Sequence, residues 1–143
     1  MNTLKFKIAT PEKVVYENEI FQVSIPTTTG EITILPNHSP LVSILQAGEL
    51  RFKDNEGEHL MAVSGGFLEI RANNELIILA DNAERAEHID IDRAEEARNR
   101  AEEQMKAVKT GEDIDYAKLQ AIIEREVNRM RVGKKYKNIK INS

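Results

Sequence analysis

Four arginines are the side chains of this sequence best suited to chemistry, and that chemistry is anion binding. Arg93 and Arg100 lie seven residues apart in one predicted helix and share a face. Arg125 and Arg129 lie four apart in a second predicted helix and also share a face. If the helices pack antiparallel, the four guanidinium groups converge and repel one another unless an anion such as polyphosphate binds between them. The alternative is local pairing of Glu96 with Arg100 and of Glu126 with Arg129, which would leave only a solvated charged face.

Two acidic residues lie near the same end of the predicted helices. Glu84 and Asp90 follow the last β-patterned segment and precede the helical half of the chain. Carboxylates there are placed to accept hydrogen bonds from an exocyclic amine such as that of adenine. The pattern is therefore compatible with a bound adenine nucleotide.

The sequence offers little for catalysis. Its three histidines lack metal-ligand spacing, and it contains neither a Gly-x-Ser-x-Gly elbow nor a Walker-type phosphate loop. It has no cysteine, which excludes disulfides, thiolate zinc sites and thiol catalysis. We therefore predict no catalytic residues, no metal site, no required cofactor and no enzyme activity of the chain itself.

The residues up to about Asp81 are typical of short strands. Apolar residues alternate with polar ones, as in Leu4, Phe6 and Ile8, and Gly, Pro and Asn turns separate the runs. Such strands without intervening helices favour an antiparallel β-sandwich whose core the four phenylalanines would fill. Gly65-Gly66 is predicted to form a β-turn before the strand that begins at Phe67.

The second half has helical periodicity. Asp92 with Glu95 matches a capping box at the start of the first helix, and Gly133 is predicted to end the second. The apolar positions of the first helix are Ala94, Ala97, Ala101, Met105 and Val108, and those of the second are Leu119, Ile122, Ile123, Val127 and Met130. The predicted fold class is α+β, with an antiparallel β-sandwich over residues 1–85, an antiparallel two-helix hairpin over 86–132 and a basic tail over 133–143.

Charge is distributed unevenly along the chain. Up to Glu84 there are 12 acidic and 6 basic residues, but from Glu124 onward there are 2 acidic and 7 basic. No segment resembles a signal peptide or approaches the ~20 apolar residues of a membrane span, so the sequence predicts a soluble protein. Apart from Tyr136, aromatic residues are absent from the basic end, which argues against nucleic-acid binding.

Several short motifs, in order, resemble the ε-subunit family of the rotary F-type ATP synthases. They are residues 30–41 (GEITILPNHSPL), residues 63–70 (VSGGFLEI) and residues 79–84 (LADNAE), followed by the helical hairpin. The resemblance extends from about Leu4 to Val132. It implies a non-catalytic subunit of the central stalk, which turns with the rotor and couples the transmembrane proton gradient to ATP synthesis.

The resemblance also implies a regulatory ATP site. Residues 89–94 (IDIDRA) look like the Ile/Leu-Asp-x-x-Arg-Ala motif with which bacterial members bind ATP. The implied site consists of Glu84, Ile89, Asp90, Arg93, Ala94, Arg100, Arg125 and Arg129. In the family, the hairpin folded against the sandwich permits ATP hydrolysis, and an extended hairpin inhibits it.

The implied partners are the other subunits of the complex. The sandwich would bind the γ subunit and the membrane c-ring through Glu31, His38 and Ser39, and the extended hairpin would bind the α and β subunits. The chain would lie peripherally at the cytoplasmic face of a bacterial cell membrane, associated with it only through the complex. The alternative interpretation is a stand-alone β-sandwich adaptor whose basic tail binds an anionic partner.

Overall fold

The structure, a computed structural model, describes residues 2–107 and 113–141, with side chains for all of these except 113–115 and 141. The chain divides into two compact units, Met1–Ala86 and Glu87–Ser143. The first holds eight strands: β1 (Leu4–Ala9), β2 (Val14–Ile20), β3 (Gln22–Thr27), β4 (Gly30–Ile34), β5 (Leu41–Ile44), β6 (Gly48–Asp54), β7 (Gly57–Arg71) and β8 (Glu75–Arg85). The second holds α1 (Ile91–Ala107) and α2 (Asp113–Ile141), preceded by a 3-10 turn at Ala86–His88. The predicted α+β class is confirmed.

The strands are hydrogen-bonded in the order β2-β1-β8-β7-β6-β3-β4, and β5 pairs with β7. All pairs are antiparallel except β1 with β8, which is parallel. Strand β7 changes its neighbour along its length, from β6 over 57–63 to β5 over 67–70, while β8 follows its other edge. Because one long strand serves both neighbours, the sheet folds over a single apolar core.

The change of neighbour occurs at Gly65 and Gly66, where φ is +70° and +99°. These glycines form a bend inside β7, so the predicted β-turn is wrong at this position. A Cβ at Gly66 would lie 2.8 Å from the Cα of Ala80 and would also meet the carbonyl of Leu79. Only glycine permits both the positive φ and this close approach of β8.

The core contains two of the four phenylalanines rather than all of them. Phe6 and Phe52 are buried, with ring centroids 5.3 Å apart, whereas Phe21 is half-buried and Phe67 is 45% exposed. Phe67 lies after the bend, on the outer face of β7. The core is instead completed by aliphatic side chains from every layer, including Leu4, Ile8, Ile20, Ile25, Ile34, Leu50, Met61, Leu68, Ile70, Leu76 and Ile78.

A buried carboxylate closes one end of this core. Asp54 accepts hydrogen bonds from the Tyr16 hydroxyl (2.8 Å), from Nε2 of His59 (2.9 Å) and from the Glu56 N–H (2.8 Å). Burial alone would raise the pKa of Asp54, but hydrogen bonds from His59, Tyr16 and Glu56 outweigh it and hold the pKa below 3.8. Burial and the Asp54 carboxylate in turn raise the pKa of Tyr16 to about 12.

This network predicts the acid response of the sandwich. Because the folded-state pKa of Asp54 is depressed, the ionised carboxylate stabilises the fold above its ordinary pKa of 3.8. That contribution is lost as the pH falls through the lower folded-state pKa. Asp54→Asn should destabilise the sandwich by about 1–2 kcal/mol at neutral pH and flatten its acid-unfolding limb, as measured by urea unfolding between pH 2 and 7. Glu58→Gln is the control, because Glu58 is exposed near the start of β7. It should keep the acid dependence of the wild type. The same acid dependence in the wild type and in Asp54→Asn would contradict the assignment.

Helix α2 does not end where the sequence predicts. It continues through Gly133 to Ile141, so residues 134–141 extend the helix and the predicted boundary at 133 is wrong. The reason is packing: a Cβ at Gly133 would lie 2.9 Å from Cγ1 of Ile91 and 3.2 Å from Cγ2 of Ile89. Glycine here permits a close helix approach instead of forming a left-handed cap, and its φ is not among the positive values.

Candidate functional site

The entrance to α1 is fixed by Asp90. Its Oδ1 accepts a hydrogen bond from the Arg93 N–H at 3.1 Å, and its carbonyl accepts one from the Ala94 N–H at 3.1 Å. Asp90 is therefore the N-cap, and the predicted capping box at Asp92 is wrong. The other carboxylate oxygen of Asp90 lies 3.6 Å from Nε of Arg93, so Asp90 also orients the Arg93 side chain.

The two helices pack through small residues. Ala94 and Ala101 are buried on α1, and Gly133 of α2 lies against Ile89 and Ile91 at the start of α1. The end of α2 thus meets the beginning of α1, which makes the pair antiparallel, as predicted. Ala97 and Met105 are partly buried on the same stripe, whereas Val108 lies outside the described residues. Ile89 and Ala94 of the predicted ATP motif are therefore packing residues in this state.

On α2 the buried face differs from the predicted one. Leu119 and Met130 are buried and Ile122 and Ile123 partly so, but Val127 is 42% exposed. The buried positions that the pattern missed are Glu126, Asn128, Val132 and Gly133. Two of these are polar, so a search for apolar periodicity alone does not find them.

The two flanks of the hairpin can be distinguished by a groove that both helices line. Arg98 of α1 shares this groove with Val127 and Arg131 of α2. At about 100° per residue, Arg93 and Arg100 project some 140–160° away from Arg98. Arg93 and Arg100 therefore lie on the side of α1 that faces away from the groove.

On α2, Arg125 and Arg129 each lie two residues from Val127, about 160° around the helix from the groove. Helix phase therefore puts the four predicted arginines on the flank opposite the groove. Arg93 is strongly exposed, and Arg100 is exposed and forms no ion pair within the part of the chain that the structure describes. The α1 members are thus accessible to an anion.

The α2 members are held by a carboxylate that the site prediction omits. Glu126, which is buried, has Oε1 at 3.2 Å from Nε of Arg125 and Oε2 at 2.7 Å from a terminal nitrogen of Arg129. Of the two local pairs in the alternative interpretation, Glu126 with Arg129 is present, whereas Glu96 forms no ion pair with Arg100 in the described residues. The i to i+3 spacing was the available signal for it. Glu126 therefore fixes the direction of both guanidinium groups.

The remaining predicted residues lie in the sandwich unit. Glu84 pairs in register with Ala62 near the end of β8. Glu31 lies at the start of β4 and forms an ion pair with Arg51 at 2.8 Å. His38 is exposed, with Nδ1 2.7 Å from the carbonyl oxygen of Ser39.

One cluster of potential metal ligands lies at the β6–β7 turn. Asp54, Glu56 and His59 offer ligand atoms that all lie within 4.8 Å of one another. Both oxygens of Asp54 already accept hydrogen bonds, from Tyr16, His59 and the Glu56 N–H. Protein groups thus already satisfy the Asp54 carboxylate, and we assign the cluster a role in stabilising the fold.

Comparison with known proteins supplies the family. Residues 3–86 match the family model of the ATP synthase delta/epsilon chain, beta-sandwich domain, and residues 87–134 match that of the delta/epsilon chain, long alpha-helix domain. The ATP synthase epsilon chain of Nitratidesulfovibrio vulgaris (strain DP4) is 43% identical over 130 residues, 91% of this chain and 95% of that one. The ATP synthase epsilon chain of Dehalococcoides mccartyi (strain BAV1) is 45% identical over 135 residues, 94% of this chain and 95% of that one.

A solved structure shows the same fold. A chain in the cryo-EM structure of the Euglena gracilis mitochondrial ATP synthase, OSCP/F1/c-ring in rotational state 1, superposes with a TM-score of 0.71 at 18% identity, covering 87% of this chain and 77% of that chain. The sequence and family matches span both units. This chain belongs to the ATP synthase delta/epsilon chain family, and the resemblance derived from its motifs is confirmed. No helix within the described residues is both long and apolar enough to cross a membrane.

Proposed function

We propose that this chain is the ε-type central-stalk subunit of a bacterial F-type ATP synthase, whose helical hairpin senses ATP. Family membership over both units supports the first part of this proposal. As a rotor subunit it has no catalytic residues of its own. It transmits rotation between the proton-driven c-ring and the catalytic α and β subunits, at the cytoplasmic face of the cell membrane.

The sandwich is the unit that we assign to docking on γ and the c-ring. Its Glu31, His38 and Ser39 are polar and lie at a strand start and in an exposed turn, where side chains serve contacts more often than folding. The stand-alone adaptor is the weaker alternative, because the family match includes both the sandwich and the hairpin.

The observation that carries the regulatory part is the common flank of the four arginines. Arg93 and Arg100 approach Arg125 and Arg129 only while α1 and α2 are packed together. A triphosphate that bridges the helices therefore binds the folded hairpin and not an extended one. Such a ligand shifts the population toward the folded form by RT ln(1 + [L]/Kd). ATP then acts as a regulatory ligand that relieves inhibition of hydrolysis.

The test is ATP binding by the isolated full-length chain. ATP should raise its melting temperature, because it binds only the folded hairpin. Arg125→Ala removes a charge-assisted phosphate contact, so ATP affinity measured by calorimetry should fall by roughly ten- to a hundredfold. Arg125 is suited to this test because it is the more exposed of the two arginines that contact Glu126, at 37% against 24%, and Arg129 still pairs with Glu126 in its absence.

Lys118→Ala is the matched control, since Lys118 is basic and exposed on α2 but lies outside the predicted site. It should bind ATP like the wild type. Absence of ATP binding at millimolar nucleotide, or an equal loss in Lys118→Ala and Arg125→Ala, would reject the ATP-sensing role while leaving the stalk assignment untouched.

A further inference from the structure

The flank of the hairpin opposite the predicted ATP site holds a second concentration of positive charge. A groove of about 880 Å³ runs along it, and four cationic side chains line the groove: Arg98, Arg131, Lys134 and Lys135. Among the residues that the structure describes, no acidic side chain lines the groove. The sequence motif includes none of these cations, and the family match ends at residue 134, before the groove does.

The groove is also lined by apolar side chains. These are Val127, Met130 and Ile139, of which Val127 and Ile139 are 42% and 54% exposed, and Asn138 completes the lining. The α2 residues of the lining span 127 to 139, a length of about 18 Å at 1.5 Å per residue. A groove lined by both cationic and apolar side chains complements a molecule that carries several negative charges and an apolar or aromatic group.

Arg98 makes the groove dependent on hairpin closure, since within the described part of the chain it is the lining residue that α1 contributes. Its Nε is buried and makes no hydrogen bond with the residues that the structure describes. The nearby carboxylates lie at longer range, with Glu102 3.7 Å from Nε and Glu95 3.9 Å from a terminal nitrogen. Because Nε itself is buried, the part of the Arg98 side chain that is exposed, 28%, is what an anion in the groove would contact.

Arg131 is already oriented for such a ligand. One of its terminal nitrogens donates to Oδ1 of Asn128 at 2.7 Å, and Asn128 is a buried residue. The guanidinium group therefore has a fixed direction before any ligand arrives, which lowers the entropic cost of binding. Its other donors remain to form a bidentate contact with phosphate oxygens.

We propose that this groove is a second polyanion site, which binds the polyphosphate group of a nucleotide or of a similar phosphate ester. It is separate from the flank of Arg93, Arg100, Arg125 and Arg129, so a ligand can occupy either flank without the other. Because Arg98 comes from α1 and the remaining lining residues from α2, ligand here also favours the closed hairpin. The proposal does not depend on the first site.

The experiment is calorimetric titration of the full-length chain with ATP and with inorganic tripolyphosphate at fixed ionic strength. Three variants are compared with the wild type: Arg100→Gln with Arg125→Gln, which disables the predicted ATP flank; Arg131→Gln with Lys134→Gln, which disables the groove; and Lys137→Gln, a control on α2 outside the groove lining. Circular dichroism confirms that each remains helical. If the groove binds ATP more tightly than tripolyphosphate, its apolar lining residues contact the nucleoside.

The expected result is two equivalents of ATP on the wild type and on Lys137→Gln, and one on each double variant. Removing Arg131 and Lys134, two of the four groove cations, should weaken binding there by about a hundredfold. If Arg131→Gln with Lys134→Gln binds ATP and tripolyphosphate like the wild type, the groove proposal is wrong while the ATP-sensing role stands. If the wild type binds a single equivalent and only Arg131→Gln with Lys134→Gln loses it, the groove is the polyanion site and the role of Arg100 and Arg125 in ATP binding is wrong.

Discussion

Gly66→Ala should destabilise the β-sandwich by about 3–5 kcal/mol, enough to unfold a marginal domain at physiological temperature. Two costs combine. An alanine must adopt φ near +99°, which costs about 1–3 kcal/mol. Its methyl group would also overlap the backbone of β8, at 2.8 Å from the Cα of Ala80 and 2.9 Å from the carbonyl carbon of Leu79. Backbone inside a central strand cannot move aside as a side-chain end can.

Gly57→Ala separates these two costs. Gly57 also has a positive φ, +122°, but a Cβ there meets nothing within 4 Å. It should therefore lose only the conformational part, about 1–2 kcal/mol. Urea unfolding of both variants measures the difference. Equal losses would mean that β8 does not approach β7 at Gly66 as closely as described.

The second large effect concerns the buried carboxylate of the hairpin. Glu126→Ala should lower the stability of the helical unit by about 2–4 kcal/mol, because it leaves two partly buried guanidinium groups without their shared anion. The Glu126 side chain is 4% exposed, and those of Arg125 and Arg129 are 37% and 24% exposed. Thermal unfolding followed by helical circular dichroism measures this loss.

Glu124→Ala is the matched control, because Glu124 is an exposed glutamate on the same helix. Its loss should stay within about 0.5 kcal/mol of zero. ATP or tripolyphosphate should partly restore Glu126→Ala, because phosphate replaces the missing negative charge beside Arg125 and Arg129. A variant that melts like the wild type would show that the pair is only a solvated contact.

Alternation and turn residues were sufficient to predict the sandwich, because apolar period-two runs allow few other ways to bury them. They could not predict the bend at Gly65-Gly66, since a glycine pair is equally compatible with a turn and with a kinked strand. The exposure of Phe67 follows from that bend. Residue type alone assigns it to the core, but its position after the kink determines the face on which it lies.

The shared helix face of each arginine pair was predictable from the sequence, but the residues that contact the arginines were not. Spacing alone placed Arg93 with Arg100 and Arg125 with Arg129, because helix periodicity is regular. The burial of Glu126 and the groove around Arg98 depend on how deeply two helices interlock, which periodicity does not specify. Gly133 shows the same limit, since a glycine that ends a helix and one that lets another helix approach are identical in sequence.

The position of Gly133 couples two properties of the hairpin that would otherwise be independent. While Ile89 and Ile91 cover it, the glycine lies in a packed interface and the helix continues through it to Ile141. Separation of α1 exposes a residue about 1 kcal/mol less favourable in a helix than alanine, followed by only about two turns of chain. At the end of a helix and beyond a glycine, such a short segment frays more readily than the rest of α2. The hydrogen-exchange rate of amide protons beyond residue 133 would then report how often the hairpin opens.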